Sequence, residues 1–150
     1  MKLFISYFYK IRFFKRDMIP LSTAVYNPKW YSNNGTTYYD SNGVLCGTRM
    51  PVFVPGSKCS NLCHGAQNCT MTPDKCDFLK KYREQLDAID YSKLKDSFEQ
   101  MATSYQEVLG LDYEPTFVLI VYETPTNPCS ERWPLIAWFK DHGYELKEFT

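Results

Sequence analysis

Histidine is almost missing from this chain, at two of 150 residues. A catalytic triad built on histidine is therefore not favoured. None of the seven glycines falls in a Gly-x-Gly-x-x-Gly or Walker pattern, so the common phosphate-cradling loops are absent. Gly-x-Ser-x-Gly and His-Glu-x-x-His are absent too, which removes the hydrolase nucleophile elbow and the zincin helix. No apolar run approaches the ~18–20 residues needed to cross a membrane. Formal charge is zero, with 17 Lys and Arg against 17 Asp and Glu. A protein held to nucleic acid mainly by charge is basic overall, so such a partner is not favoured. Six cysteines are too few for a disulfide scaffold of this length. There is no internal repeat.

What is present is the composition of one globular domain. The hydrophobic fraction is 44% and the charged fraction 23%. A chain this long buries roughly 68–70% of its unfolded surface, enough for a core without staples. Aromatics are abundant, with 12 Tyr, 10 Phe and 3 Trp. Charge is uneven: Lys2, Lys10, Arg12, Lys15 and Arg16 against Asp17 make the first 17 residues strongly basic. This segment reads either as a short solvated helix with cations beside Tyr9, Ile11, Phe13 and Phe14, or as an anion-facing edge. Its apolar stretch is short, aromatic and lacks a small-residue cleavage site. It reads as a buried first strand rather than a signal peptide, which makes the expected location cytoplasmic and the cysteines reduced unless metal-bound.

Lys2–Phe8 and Met18–Val25 read as strands, with Pro20 arguing against a central place for the second. Residues 32–76 lack helical periodicity; Asp40-Ser41-Asn42-Gly43 marks a turn, and 44–46 and 50–54 are short strand candidates. Phe78, Leu79, Tyr82, Leu86 and Ile89 share one face of a helix over 74–89. A second helix runs over 92–109, with Ser92 or Asp90 as N-cap and Gly110 as its stop, and the short connection predicts a helical hairpin. Thr116–Tyr122 is a continuous apolar run, the pattern of a central parallel strand covered on both faces. A helix over 131–141 ends at Gly143, with His142 as a structural C-terminal cation, and 144–149 alternates like an edge strand. The expected fold is α/β: a single Rossmann-like domain over 1–150, with a mostly parallel sheet, flanking helices and a long Cys-rich insertion at about 32–76.

The segment 118–139 carries the most chemistry. A buried strand ends, a loop turns, and Cys129-Ser130-Glu131-Arg132 opens a helix. Free N–H groups and the helix dipole favour an anion there, Arg132 can grip it, and the same field favours a Cys129 thiolate. Cys129 and Glu131 are thus the candidate catalytic residues, as nucleophile and as acid or base. Ligands of open parallel sheets sit at the strand carboxyl ends. Ser6, Tyr7, Lys29, Trp30, Ser130 and Arg132 are accordingly the candidate binding residues for a small anionic or nucleotide-like ligand, with Glu123 nearby. The competing assignment is structural: Arg132 pairs with a sheet-side carboxylate and Cys129 is inert.

The stretches SYFYKIR (6–12), IPLSTAV and PKWY (19–31), CDFLKKYREQL (76–86) and VLIVYETPTNPCSERWPLIAWFKDHGYELKE (118–148) together resemble the family catalogued as "domain of unknown function 488". The likeness is to its branch with a Cys-Ser-Glu-Arg element and covers nearly the whole chain. It implies a Rossmann-like fold and a bacterial or phage protein, and it brings no particular reaction. Other members carry Cys-His-Arg; the missing His weakens a nucleophile at Cys129 more than an anion site at Arg132.

Cys59, Cys63, Cys69 and Cys76, with His64, fall within 18 residues. Cys59-x3-Cys63 fits a zinc pair, whereas the spacing to Cys76 fits neither a standard knuckle nor a ferredoxin pattern. Zinc, free thiols and disulfides all remain open, zinc being a structural clasp for a loop with little core of its own and an iron–sulfur cluster less favoured. Asn34-Gly35-Thr36 and Asn68-Cys69-Thr70 match glycosylation sequons and mark surface loops. Four function classes follow: an enzyme acting on a phosphorylated small molecule, a non-catalytic module sensing or sequestering such a ligand, a metal-stabilised nucleic-acid-associated protein, and an interaction protein without a small ligand.

Overall fold

In a computed structural model, which describes residues 1–60 and 72–150, a four-stranded parallel sheet organises the chain. β1 (Leu3–Tyr7), β2 (Met18–Ser22), β5 (Thr116–Val121) and β6 (Lys147–Glu148) lie in the order β2-β5-β1-β6. All three pairings are parallel. β3 (Tyr38–Tyr39) and β4 (Leu45–Cys46) form a separate antiparallel hairpin. The helices are a short α1 (Ser57–Ser60), then α2 (Asp77–Asp87), α3 (Tyr91–Leu109) and α4 (Arg132–Asp141). Among the described residues no helix is long and apolar enough to cross a membrane.

β5 occupies the place its sequence predicts. Phe117, Leu119 and Val121 face a core with Tyr82, Leu86, Leu94, Phe98, Leu135, Trp138 and Phe139, which brings α2, α3 and α4 onto one face of the sheet. Val118 and Ile120 face the opposite core, with Phe8, Ile11, Phe14, Tyr31, Val44 and Cys46. That second face is covered by a 3-10 segment (Phe8–Phe13), the hairpin and the loop around Tyr31, not by long helices. The period-two alternation of a doubly covered strand thus separates two unlike layers.

Other expectations are met or corrected locally. β2 is an edge strand, as Pro20 implies. The strand expected at 50–54 is a 3-10 turn over Pro51–Phe53, because Pro51 fixes φ and supplies no ladder N–H; just before it, an isolated β-bridge pairs Ser22 with Arg49. The basic segment is a solvated 3-10 helix whose cations lie on rings, Arg12 over Tyr9 and Lys10 over Phe13. α2 makes its close helix contact with α4, so α2 and α3 do not form the tight hairpin expected of them. His142 caps α4 and stacks on Tyr91 at 4.5 Å.

Asp90, not Ser92, caps α3: its carboxylate accepts from the Lys93 N–H at 3.2 Å, and Gly110 closes the helix in the left-handed region at φ 66°. Asp90→Ala is expected to lower stability by about 1 kcal/mol, read as a reduced urea midpoint, while Ser92→Ala stays near wild type. Equal losses would assign the cap wrongly.

Candidate functional site at the carboxyl edge of the sheet

Because every strand of the main sheet runs the same way, β1, β2 and β5 end on one edge. Ser6, Ile120 and Ser22 sit side by side across that edge. The Ser6 hydroxyl is fully buried and finds no hydrogen-bond partner among the described residues. Ser22 bonds to Asn27, and Thr23 bonds back to the Ile120 carbonyl at 3.1 Å, which turns the chain away from β2.

The loop leaving β5 returns at α4 and places Arg132 in the interior, fully buried. Its Nε pairs with the Glu148 carboxylate, and Nη1 donates to the Glu123 carbonyl at 2.9 Å and to the Ser130 hydroxyl at 3.3 Å. β1 lies between β5 and β6, so the guanidinium links the strands on either side of it. The sheet-side carboxylate expected as a structural partner is therefore real, and it is Glu148. It does not exhaust the residue: Nη2 is buried and has no acceptor among the described residues. A guanidinium has five donors in a fixed fork, and an unmet one in the interior costs its desolvation.

Glu131 precedes Arg132 and is 5% exposed. Burial pushes its pKa well above the usual carboxylate range, the Glu123 charge and hydrogen bond push it further, and Arg132 opposes them only in part. Two ionised carboxylates cannot hydrogen-bond, and in that state Glu123 Oε2 and Glu131 Oε2 are both buried without a donor among the described residues. With the proton on Glu131 its hydroxyl donates to Glu123, and one bond satisfies the pair. Burial thus favours the neutral form of Glu131 at this edge, beside the buried Arg132 guanidinium.

Ser130 serves this arrangement through its hydroxyl, which also accepts from the Arg132 N–H at 3.2 Å. Asn127 braces the loop, accepting from the Cys129 N–H at 2.8 Å and from the Trp133 indole at 3.0 Å. Cys129 is disulfide-bonded, which departs from the expectation of reduced cysteines. A disulfide sulfur has no thiolate to attack with, so the nucleophile assigned to Cys129 is unavailable in this state.

The chain was compared with protein-family models, with curated proteins and with solved structures, and no match was found in any of the three. The site therefore rests on its own geometry.

The binding residues expected at one crevice divide between two places. Arg132, Ser130 and Glu131 come together, with Glu123 and Glu148. Trp30 instead stays half-exposed and packs against two core residues of the other sheet face, Phe8 and Tyr31, and Lys29 is exposed beside it. Tyr7 stacks on Tyr9 at 6.4 Å. Cys59 and Cys76 are free, buried thiols, and burial raises the Cys59 pKa. Cys63, Cys69 and His64 lie outside the described residues, as does the sequon at Asn68. Among the described residues no cluster of three His, Cys, Asp or Glu side chains is arranged to hold a metal ion. Glu148 has no signal in the sequence, since it sits 16 residues from Arg132 in a different element.

Proposed function

We propose that the carboxyl edge of the sheet binds a small phosphorylated or similarly anionic ligand through Arg132, with Glu131 as its proton donor. The observation that carries this is the Arg132 Nη2, buried and without an acceptor among the described residues, next in the chain to Glu131, whose carboxyl burial holds above its usual pKa range. A phosphoryl oxygen answers the guanidinium, and a neutral acid gives a proton to a leaving oxygen where an ionised one cannot. The energetics agree: burial raises the Glu148 pKa and Arg132 offsets only part of that rise, so the ion pair is not optimised for stability. The position at the ends of parallel strands is where a Rossmann-like fold binds its ligand, although here the long helices cover a single face. The Cys-Ser-Glu-Arg element that carries the family resemblance is the same element that builds the site.

Isothermal titration with inorganic phosphate and with ribose 5-phosphate tests the proposal. Saturable binding is expected, lost in Arg132→Met and retained in Arg132→Lys at reduced affinity. Glu131→Gln is expected to keep binding and to lose any turnover of a phosphate ester. Absence of binding by the wild-type protein, or full binding by Arg132→Met, overturns it.

A further inference from the structure

On the other face of the sheet lies a hollow of about 320 Å³, lined among others by Phe8, Tyr9, Arg12, Trp30, Tyr38 and Asp40. We infer that this hollow takes a nucleobase, a single planar heteroaromatic ring system, carried by a nucleoside or by a single-stranded nucleic acid. It shares no residue with the Arg132 site.

The walls are built before any ligand arrives. The Arg12 guanidinium lies 3.7 Å from the centroid of the Tyr9 ring, and its Nε donates to the Tyr9 carbonyl at 3.0 Å. A long cation is thereby held over the ring, at little further entropic cost on binding. Trp30 is 47% exposed, yet its indole is fixed nearly perpendicular to two buried rings, Phe8 at 6.3 Å and Tyr31 at 6.0 Å. The Tyr38 hydroxyl donates to the Trp30 carbonyl and ties the hairpin to this loop. Asp40 Oδ1 accepts from the Asn42 and Val44 N–H groups at 2.8 and 2.9 Å, which fixes the carboxylate at the rim of the turn.

Ligand chemistry follows from this set. Aromatic faces and a flat guanidinium stack on any base. Arg12 donates and Asp40 accepts, which matches the mixed donors and acceptors of a base edge. A purely apolar ring would leave both charges unanswered, and a bare anion has no use for four aromatic rings. The volume is at the low end for ligand pockets and suits one base rather than a larger molecule. Cys46 also lines the hollow; burial and the Asp40 charge raise its thiol to about 11, so it adds no negative charge at neutral pH.

Titration of the whole protein with adenosine, guanosine, an oligothymidylate and indole tests the inference by heat or by NMR shifts. At least one nucleoside or the oligonucleotide is expected to bind saturably and more tightly than indole. Trp30→Ala and Arg12→Ala should each weaken that binding about tenfold, the scale of one stacking contact, and Ser92→Ala, on a helix of the opposite sheet face, should leave it unchanged. Tighter, strongly salt-dependent binding of the oligonucleotide assigns the base to a strand, and equal or better binding of a nucleoside assigns it to a small molecule. No binding by any nucleoside or by the oligonucleotide, binding indifferent to Trp30→Ala and Arg12→Ala, or indole binding as tightly as the nucleosides overturns it. Loss of phosphate binding with nucleoside binding intact would sink only the Arg132 proposal.

Discussion

Arg132→Met is expected to destabilise the fold by about 3 kcal/mol or more. The side chain is fully buried, and its removal takes the guanidinium donors from Glu148 and the Glu123 carbonyl and leaves the Ser130 hydroxyl only its bond from the backbone N–H of residue 132. Glu148 is a quarter exposed, so water relieves part of the penalty, which keeps the figure at the lower end for a broken buried pair. Glu148→Gln should cost less, because an amide oxygen still accepts from Nε. The double variant should fall short of the summed losses by about 1 kcal/mol, the coupling of residues in direct contact. Urea midpoints at constant m-value measure all three. Strict additivity would mean that the Arg132–Glu148 pair is not formed.

The second large effect concerns pH. The folded pKa of Glu131 is raised, so the native state holds its proton more tightly than the unfolded chain, which releases it near the ordinary value of about 4.3. Between that value and the folded pKa the native state binds more protons. Stability is therefore fullest below the unfolded pKa and is lost as pH rises through this window, by up to about 1.4 kcal/mol per pH unit. Glu131→Gln keeps a donor toward Glu123 at every pH and has no proton to lose. Its stability curve should be flatter above pH 5, and at pH 8 the variant should exceed wild type. Glu148 is also raised and slopes the same way, so the difference between the two curves is what reports Glu131. Parallel curves would place the Glu131 proton elsewhere.

The elements that one sequence face determines were legible in the chain. β5 needed only its unbroken apolar run, and the end of α4 only its Gly143 stop. The turn at Pro51 was misjudged because β-branched neighbours favour a strand while the ring forbids its ladder. The tight α2–α3 hairpin was also misjudged, because chain connectivity does not say which surface an amphipathic face will choose. At the site, Arg132 and Glu131 could be picked out because helix-start chemistry is local. Glu148 could not, since an edge strand of two residues reaches Arg132 only through sheet order. The same holds for Trp30: strand ends gather residues on one edge, but which face a departing loop packs on is decided by its own apolar contacts. Phe8 and Tyr31 draw Trp30 to the face away from the helices.

Carbon-13 NMR of side-chain-labelled glutamate and arginine, with inorganic phosphate as titrant, tests the site most directly. One glutamate carbon should titrate well above the ordinary range and vanish from the spectrum in Glu131→Gln. That carbon and the Arg132 guanidinium signal should both shift to saturation as phosphate is added. Glutamates that all titrate in the ordinary range, or an Arg132 signal that phosphate leaves in place, would contradict a protonated carboxyl and a guanidinium poised together for an anion.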